Sequence, residues 1–160
     1  MSNAPDLDAA ARAIESFLAA LGHPVTSDPE LAGTGRRVAE AFAEELLSGY
    51  AQDPAAILAD TTQTRAPGLV ALTGIGTTAM CPHHLLPASG VVHVGYLPGD
   101  RVVGLGALAR LVDCHARRLV LPEDLGQGIV DSLVAHLGAR AAGVVVELRP
   151  SCVTARGSRQ

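Results

Sequence analysis

The sequence predicts an α+β fold in which a four-stranded antiparallel sheet carries two helices on one face. Two observations predict it. Residues 1–66 contain mainly helical patterns, whereas residues 67–160 show the order strand, strand, helix, helix, strand, strand. In the second part, β-branched runs and amphipathic segments are separated by short turns. We therefore expect an N-terminal helical region over 1–66 and a sheet-based domain over 67–160.

The N-terminal region is predicted to hold two helices and one helical turn. "DLDAAARAIESFLAALG" has apolar residues at helical spacing, with Asp6 or Asp8 available as the N-cap. A loop rich in Gly, Pro, Ser and Asp follows. "RRVAEAFAEELLSG" predicts a second helix that ends at Gly49, and a short helical turn is expected near "DPAAILAD".

The sheet-based domain follows in a regular order. Strands are predicted over 68–80 and 89–97, with the turn "CPHHLLP" between them, and helices over 104–118 and 122–137. "AAGVVVELRP" predicts a β-branched strand and "SCVTARG" a short final strand. A sheet of this kind has two open edges, which must be paired or covered. We therefore expect copies of the chain to associate edge to edge, and a ring is the closed solution.

Composition excludes several classes of function. All twelve basic residues are arginine, so neither a P-loop nor a lysine Schiff base is possible. A net charge of −4 argues against nonspecific nucleic-acid binding, and 2% aromatic residues argue against base-stacking platforms. No apolar run reaches the roughly 20 residues of a membrane span. The polar, acidic N-terminus does not have the pattern of a signal peptide, so the expected location is cytoplasmic.

The stretch "MCPHHLLPASG" has three possible interpretations. It is a metal site, a nucleophile with its base, or a turn that happens to contain histidines. Cys81 and His84 are separated by two residues, which lets both side chains reach one ion, although this spacing alone is a weak signal. Cys152 on the last predicted segment is a possible third ligand. Three protein ligands with an open fourth position are typical of catalytic zinc, which activates water for hydrolysis.

The remaining polar residues allow two interpretations each. His83 is either a general acid/base beside the metal or a residue that hydrogen-bonds a backbone carbonyl to shape the turn. Glu123 in the first turn of a helix is favoured there by the helix dipole alone, and Arg156 is either an anion ligand or a surface charge. Cys114 is expected to be a buried small hydrophobe, and His115 to lie on the surface.

Two long segments, "MCPHHLLPASGVVHVGYLPGDRVVGLGALARLVDCHARRL" and "VVVELRPSCVTARG", resemble the GTP cyclohydrolase I family of the tunnelling-fold superfamily. The similarity runs from about Val70 to Gly157, and "TGRRVAEAFAEELLSGY" adds a weaker match. The Cys-x-His-His-Leu turn and the distant Cys-x-x-x-Arg-Gly are specific in combination.

The resemblance implies a tunnelling fold, a Zn²⁺ cofactor and a role for each site residue. Cys81, His84 and Cys152 would be the zinc ligands and His83 the acid/base histidine. Glu123 would anchor the guanine edge, and two arginines would bind the triphosphate, Arg110 and Arg156. It also implies pentameric rings stacked in pairs into a decamer, with a small-molecule substrate and neither nucleic acid nor membrane as partner.

The sequence departs from the family pattern at four positions. Pro150 stands where the family has a second catalytic histidine, and Gly106 and Ala107 replace the serine and lysine of a Gly-Leu-Ser-Lys motif. Pro122 replaces the glutamine beside the anchoring glutamate. The family also continues for about thirty residues beyond the segment that corresponds to Gln160.

These departures lead to three hypotheses. The first is a zinc hydrolase that acts on a guanine-, purine- or pterin-like ring without the triphosphate, by C=N hydration, ring opening or deformylation. The second is the family's own reaction, which converts GTP to 7,8-dihydroneopterin triphosphate and formate. The third is a non-catalytic purine- or pterin-binding or regulatory homologue.

Overall fold

A computed structural model of the chain describes residues 4–65 and 68–156. The chain divides into two compact units, Met1–Ser48 and Gly49–Gln160. Residues 49–65 belong to the second unit, because Leu58 in this segment is 1% exposed and packs in that unit's core. The predicted limit of a separate helical domain at residue 66 stays a prediction.

The first unit contains two helices that pack on each other. Helix α1 spans Leu7–Ala20, and Asp6 is its N-cap because its carboxylate accepts a hydrogen bond from Ala9 N at 2.8 Å. Helix α2 spans Thr34–Glu40 and continues as a π-helical segment over Ala41–Leu46. A 3₁₀ turn, Pro29–Leu31, lies in the loop between them.

The second unit is built around a three-stranded antiparallel sheet in the order β2-β3-β5. Its strands are β2 (Val70–Met80), β3 (Pro87–Leu97) and β5 (Ala141–Pro150). Two short strands that the sequence did not predict, β1 (Thr61–Gln63) and β4 (Arg101–Val103), form a separate pair. The helical turn α3 spans Pro54–Ile57 and is capped by Asp53.

Two helices cover one face of this sheet, as predicted. Helix α4 spans Leu105–Ala116, and α5 spans Pro122–Ser132 before a π-helical segment over Leu133–Leu137. Alternate residues of β3 point toward the helices and are fully buried, namely Val92, Val94 and Tyr96. With residues of both helices they form the core of the unit. The mixed α+β fold with an antiparallel sheet is therefore confirmed.

The prediction of a final strand over "SCVTARG" is wrong. Ser151–Thr154 form one helical turn, α6, so the described sheet has three strands instead of four. The physical reason is Pro150, which has no N–H to extend the ladder and can precede a helix without losing a hydrogen bond. Its carbonyl instead accepts a hydrogen bond from Thr154 Oγ1 at 3.2 Å.

Within the described ranges, β2 and β5 are the outer strands of the sheet. At the end of β2 an isolated bridge joins Met80 to Leu119. Each outer strand is ten or eleven residues long. Long strand edges of this kind bind further strands readily. No helix among the described residues is both long and apolar enough to cross a membrane.

Candidate metal centre

The candidate site lies at one end of the sheet, where β2 ends and β5 ends. Cys81 directly follows β2, and Cys152 is the second residue of α6, which follows β5. These ends are neighbours because Ala88, near the start of β3, pairs with Ala79 on one side and with Pro150 on the other. The antiparallel register therefore brings together two cysteines that are 71 residues apart (152 − 81).

The turn after β2 has a fixed backbone. Cys81 N donates to Leu86 O at 3.0 Å, and Leu85 N donates to Cys81 O at 2.9 Å. Leu85 has φ +52°, a left-handed conformation that is uncommon for a residue with a side chain. The two hydrogen bonds hold it there, and the resulting tight turn bends the chain back so that His84 faces Cys81.

The three predicted ligands are brought together. Cys81 Sγ lies 3.7 Å from His84 Nδ1, and the ligand atoms of Cys81, His84 and Cys152 all lie within 4.8 Å of one another. For a tetrahedral zinc with bonds of about 2.3 Å to sulfur and about 2.0 Å to nitrogen, ligand atoms are about 3.5–3.8 Å apart. The Cys81–His84 distance has this value, and the donor set fits zinc.

The electrostatics of the three side chains also fit a cation site. Desolvation raises the pKa of the Cys152 thiol, and the neighbouring Cys81 thiol raises it further. Two adjacent thiols therefore do not both ionise readily, whereas a cation bound between them would favour the thiolate form of both. Arg156 acts in the opposite direction and lowers the same pKa, so its guanidinium lies close enough to Cys152 to influence it.

His83 lies beside the cluster but does not belong to it. Its ring centroid is 6.3 Å from that of His84, and the two planes are at 79°. Both rings are exposed. His83 is therefore accessible to a ligand bound over the cluster.

Glu123 lies in the first turn of α5, at the same end of the sheet. Val120, three residues earlier, donates through its N–H to Met80 O at 3.1 Å, and Met80 directly precedes Cys81. No side-chain hydrogen bond caps α5 in the described chain. The exposed Glu123 carboxylate lines a cleft of about 390 Å³, whose other walls are formed by Pro122, Gly126, Gln127, Val130, Val144 and Val146.

Two further positions that the sequence comparison singled out, Arg110 and Ala107, lie on α4. Arg110 is exposed on α4, with Nη1 3.6 Å from where a Cβ of Gly106 would lie, so its guanidinium lies along the first turn of that helix. No contact described for Arg110 joins it to the cysteine-histidine cluster. Ala107 is 5% exposed and belongs to the core.

Two expectations about residues outside the cluster are resolved. Cys114 is fully buried, as expected. His115 was expected on the surface, and this is wrong: its Nε2 lies 2.9 Å from Oγ of Ser132, which is 6% exposed. The side chain of His115 points toward α5 because α4 and α5 pack against each other. Burial lowers the pKa of His115 to about 4.

The sequence also gave no indication that Arg118 and Tyr50 lie close together. The Arg118 guanidinium carbon is 5.5 Å from the centre of the Tyr50 ring, although the two residues are far apart in the chain. A possible signal was composition: the chain has only two tyrosines and two phenylalanines. An aromatic residue in such a chain is a candidate for a specific contact.

The fold and the site define an α+β unit whose sheet end carries three side chains, Cys-His-Cys, of the kinds that act as zinc ligands in proteins. Comparison with known proteins identifies the family. The GTP cyclohydrolase I family model matches residues 10–160. The chain belongs to the GTP cyclohydrolase I family, which confirms the resemblance found in the sequence.

Individual relatives support the same family assignment. The chain is 46% identical over 125 residues to GTP cyclohydrolase 1 of Campylobacter lari, covering 78% of this chain and 65% of the relative. It is 42% identical over 151 residues to GTP cyclohydrolase 1 of Leifsonia xyli, covering 92% and 78%. For GTP cyclohydrolase 1 of Dehalococcoides mccartyi the identity is 38% over 160 residues, covering 97% and 82%.

Proposed function

We propose that the protein is a zinc-dependent GTP cyclohydrolase, which converts GTP and water to 7,8-dihydroneopterin triphosphate and formate. The observation that carries this proposal is the spacing of Cys81, His84 and Cys152, whose ligand atoms lie within 4.8 Å of one another. The relatives named GTP cyclohydrolase 1, at 38–46% identity, favour GTP over a different substrate.

Cys81, His84 and Cys152 would hold the metal. A zinc ion with three protein ligands and an open position supplies a Lewis acid that activates water at neutral pH. Because His84 is exposed and both cysteines are half-buried, the three side chains are open to solvent and to an incoming purine. The reaction needs water at C8 of guanine, so a cluster open on one side suits it.

Three further side chains would handle the substrate. The Glu123 carboxylate accepts hydrogen bonds only, which suits the N1–H and the 2-amino group of guanine. His83 is the exposed imidazole beside the cluster and would exchange protons as the ring opens and formate leaves. Arg156, whose positive charge lowers the pKa of Cys152, would form an ion pair with phosphate, and so would Arg110.

A second candidate substrate is favoured by a specific observation. Pro150 cannot exchange protons, and neither Gly106 nor Ala107 offers a side-chain phosphate ligand. Each charge-assisted hydrogen bond lost to a phosphate costs about 1.5–3 kcal/mol. A purine- or pterin-like ring without the triphosphate, opened or deformylated by the same cluster, would not depend on these groups.

The open sheet edges support assembly into a homo-oligomer. Strands β2 and β5 each present a long edge, and a further copy of the chain is the natural partner for such an edge. Closed symmetry avoids open filaments. Pentameric rings paired into a decamer remain our specific proposal, which sedimentation or light scattering of the purified protein will test.

The decisive experiment compares substrates. Zinc-loaded protein is incubated with GTP, GMP and guanosine, and formate and the fluorescent oxidised pterin are measured, with Cys81→Ser as the matched control. We expect GTP to have the highest kcat/KM, and Cys81→Ser to abolish formate release. Faster release of formate from guanosine than from GTP would favour the second candidate. Stoichiometric zinc without formate from any of the three would reject both and leave a binding homologue.

A further inference from the structure

The segment Arg118–Val120 connects the two halves of the candidate site. Met80 N donates to Arg118 O at 3.3 Å, and Val120 N donates to Met80 O at 3.1 Å. Met80 precedes the candidate ligand Cys81, and Val120 lies three residues before Glu123. We call the turn after β2, residues 81–86, the metal turn. A shift of Arg118–Val120 would therefore move the metal turn and the start of α5 together.

The same segment is held from its other side by Tyr50 and by the Arg118 side chain. Tyr50 Oη accepts a hydrogen bond from Leu119 N at 3.3 Å. Arg118 Nε donates to Cys114 O at 2.7 Å, and its Nη2 donates to Gly49 O at 2.9 Å. The guanidinium also stacks over the Tyr50 ring at 5.5 Å. We call Arg118 and Tyr50 the clasp.

The chemistry of the clasp is specific to arginine. Its planar fork binds two carbonyls on different segments while it stacks on an aromatic ring, which a lysine ammonium cannot do in the same way. Cys114 lies in the last turn of α4, where a cation is favoured by the helix dipole.

The approach of the two segments is close. A Cβ on Gly49 would lie 2.4 Å from Cys114 O, so only glycine fits there. Gly49 N also donates to Arg117 O at 2.9 Å, so Gly49 donates one hydrogen bond to the end of α4 and accepts another from Arg118. The clasp is thus a set of directional polar contacts at a point of tight backbone packing, and not a loose surface ion pair.

We propose that Arg118 is a positioning residue, which acts through Leu119 and Met80 to hold the metal turn and Glu123 in register. This inference rests on the proposed function for the identity of the site. It does not require that Arg118 touch substrate or metal. Residues that orient metal ligands through hydrogen bonds commonly affect metal affinity by 10–100-fold.

The test uses the whole 160-residue chain and three variants. Arg118→Met keeps most of the side-chain volume and removes the donors. Arg118→Lys keeps a charge but places all its donors on one nitrogen. Tyr50→Phe removes only the hydrogen bond to Leu119. The matched control is Arg101→Met, because Arg101 pairs only weakly with Asp100 at 3.7 Å on the distant strand β4. Two measurements avoid catalysis: Co²⁺ affinity from the thiolate-to-metal absorption, and amide exchange of the metal-free chain.

We expect Arg118→Met to weaken Co²⁺ binding about tenfold and to speed amide exchange at Met80, Leu119 and Val120 about tenfold. Arg118→Lys should recover part of both losses, and Tyr50→Phe should speed exchange mainly at Leu119. With zinc saturating, KM for GTP should rise more than kcat falls, because Glu123 is displaced while the metal remains bound.

The outcomes separate the two proposals. If the wild-type chain does not convert GTP but the variants lose Co²⁺ affinity, the positioning role stands and the proposed function falls. If the wild type converts GTP and Arg118→Met matches Arg101→Met in both affinity and exchange, the positioning role is overturned alone. If Arg118→Met does not fold, Arg118→Lys decides: Co²⁺ affinity and amide exchange both equal to wild type overturn the role, and partial losses in both support it.

Discussion

Cys81 Sγ lies 3.7 Å from His84 Nδ1 across a single turn, and Cys152 reaches the same point from the end of the other outer strand, β5. Local chain geometry produces the first contact, whereas strand register produces the second. This difference determines what each ligand contributes. A local pair of ligands keeps its geometry when the third is lost, so the three ligands can be tested separately.

Cys152→Ser should weaken zinc binding strongly while leaving a partial site. One of two thiolates is lost, so the thiolate-to-Co²⁺ absorption should fall to about half its intensity per metal. Cys114→Ala is the matched control, because Cys114 is fully buried outside the cluster. An undiminished Co²⁺ band in Cys152→Ser would exclude Cys152 as a ligand.

His83→Gln should separate proton transfer from metal binding. Loss of a general acid/base typically lowers the rate 10²–10⁴-fold, while zinc content should stay at the wild-type level. Formate release under saturating GTP gives the rate, and metal analysis of the same sample gives the content. The control is His136→Gln, which changes an exposed histidine in the π-helical segment after α5. Loss of zinc in His83→Gln would instead make His83 a ligand or a support of the turn.

The pH dependence of stability should include a contribution from His115. Ser132 Oγ donates to Gly128 O at 2.8 Å, so it accepts from His115 Nε2–H, which requires no charge on the ring. Burial lowers the pKa of His115 to about 4, and Arg118 also lowers it while Asp131 raises it. Because the unfolded state has the higher pKa, about 6.5, it binds more protons in this interval. The stabilising contribution is therefore present above pH 6.5 and is lost as pH falls toward 4.

With a discount for partial solvent screening, this contribution is about 1–2 kcal/mol. His115→Gln keeps a donor for Ser132 and does not titrate. Urea unfolding with chelator present, at pH 7.5, 5.5 and 4.5, should show a smaller decrease in the free energy of unfolding for His115→Gln than for wild type. His136→Gln should behave as wild type. Equal decreases in His115→Gln and wild type would show that His115 does not titrate in this way.

Gly90→Ala should disturb the sheet next to the site. A Cβ there would lie 2.0 Å from Glu147 O on β5, a backbone atom that cannot move without breaking the ladder. The expected cost is about 1–3 kcal/mol in the free energy of unfolding, together with weaker Co²⁺ binding, since β5 leads to Cys152. Gly76→Ala, on β2 with open space around its Cβ, is the control and should be neutral or slightly stabilising. Similar losses in both variants would show that the effect is a general one of glycine in strands.

Much of the fold could be predicted from local sequence patterns. The strand over Ala141–Pro150 coincides with "AAGVVVELRP", and Asp6 caps α1. The short strands β1 and β4 were not predicted because three residues carry too little periodicity. The final strand was wrongly predicted because β-propensity outweighed a proline whose missing N–H ends the ladder. His115 was misplaced because its hydrogen-bond partner, Ser132, lies on another helix.

The sequence by itself determined the family and predicted the candidate ligands, since the Cys-x-His-His-Leu turn and the distant Cys-x-x-x-Arg-Gly are specific together. It also showed which side chains of the family pattern are absent, because Pro150, Gly106 and Ala107 stand where the family has histidine, serine and lysine. Only the tertiary structure decided that Cys152 meets Cys81 and that Arg118, Tyr50 and Met80 fasten the turn to α5. Residue identity is a local property of the chain, whereas these contacts arise from antiparallel register and helix packing between segments far apart in sequence.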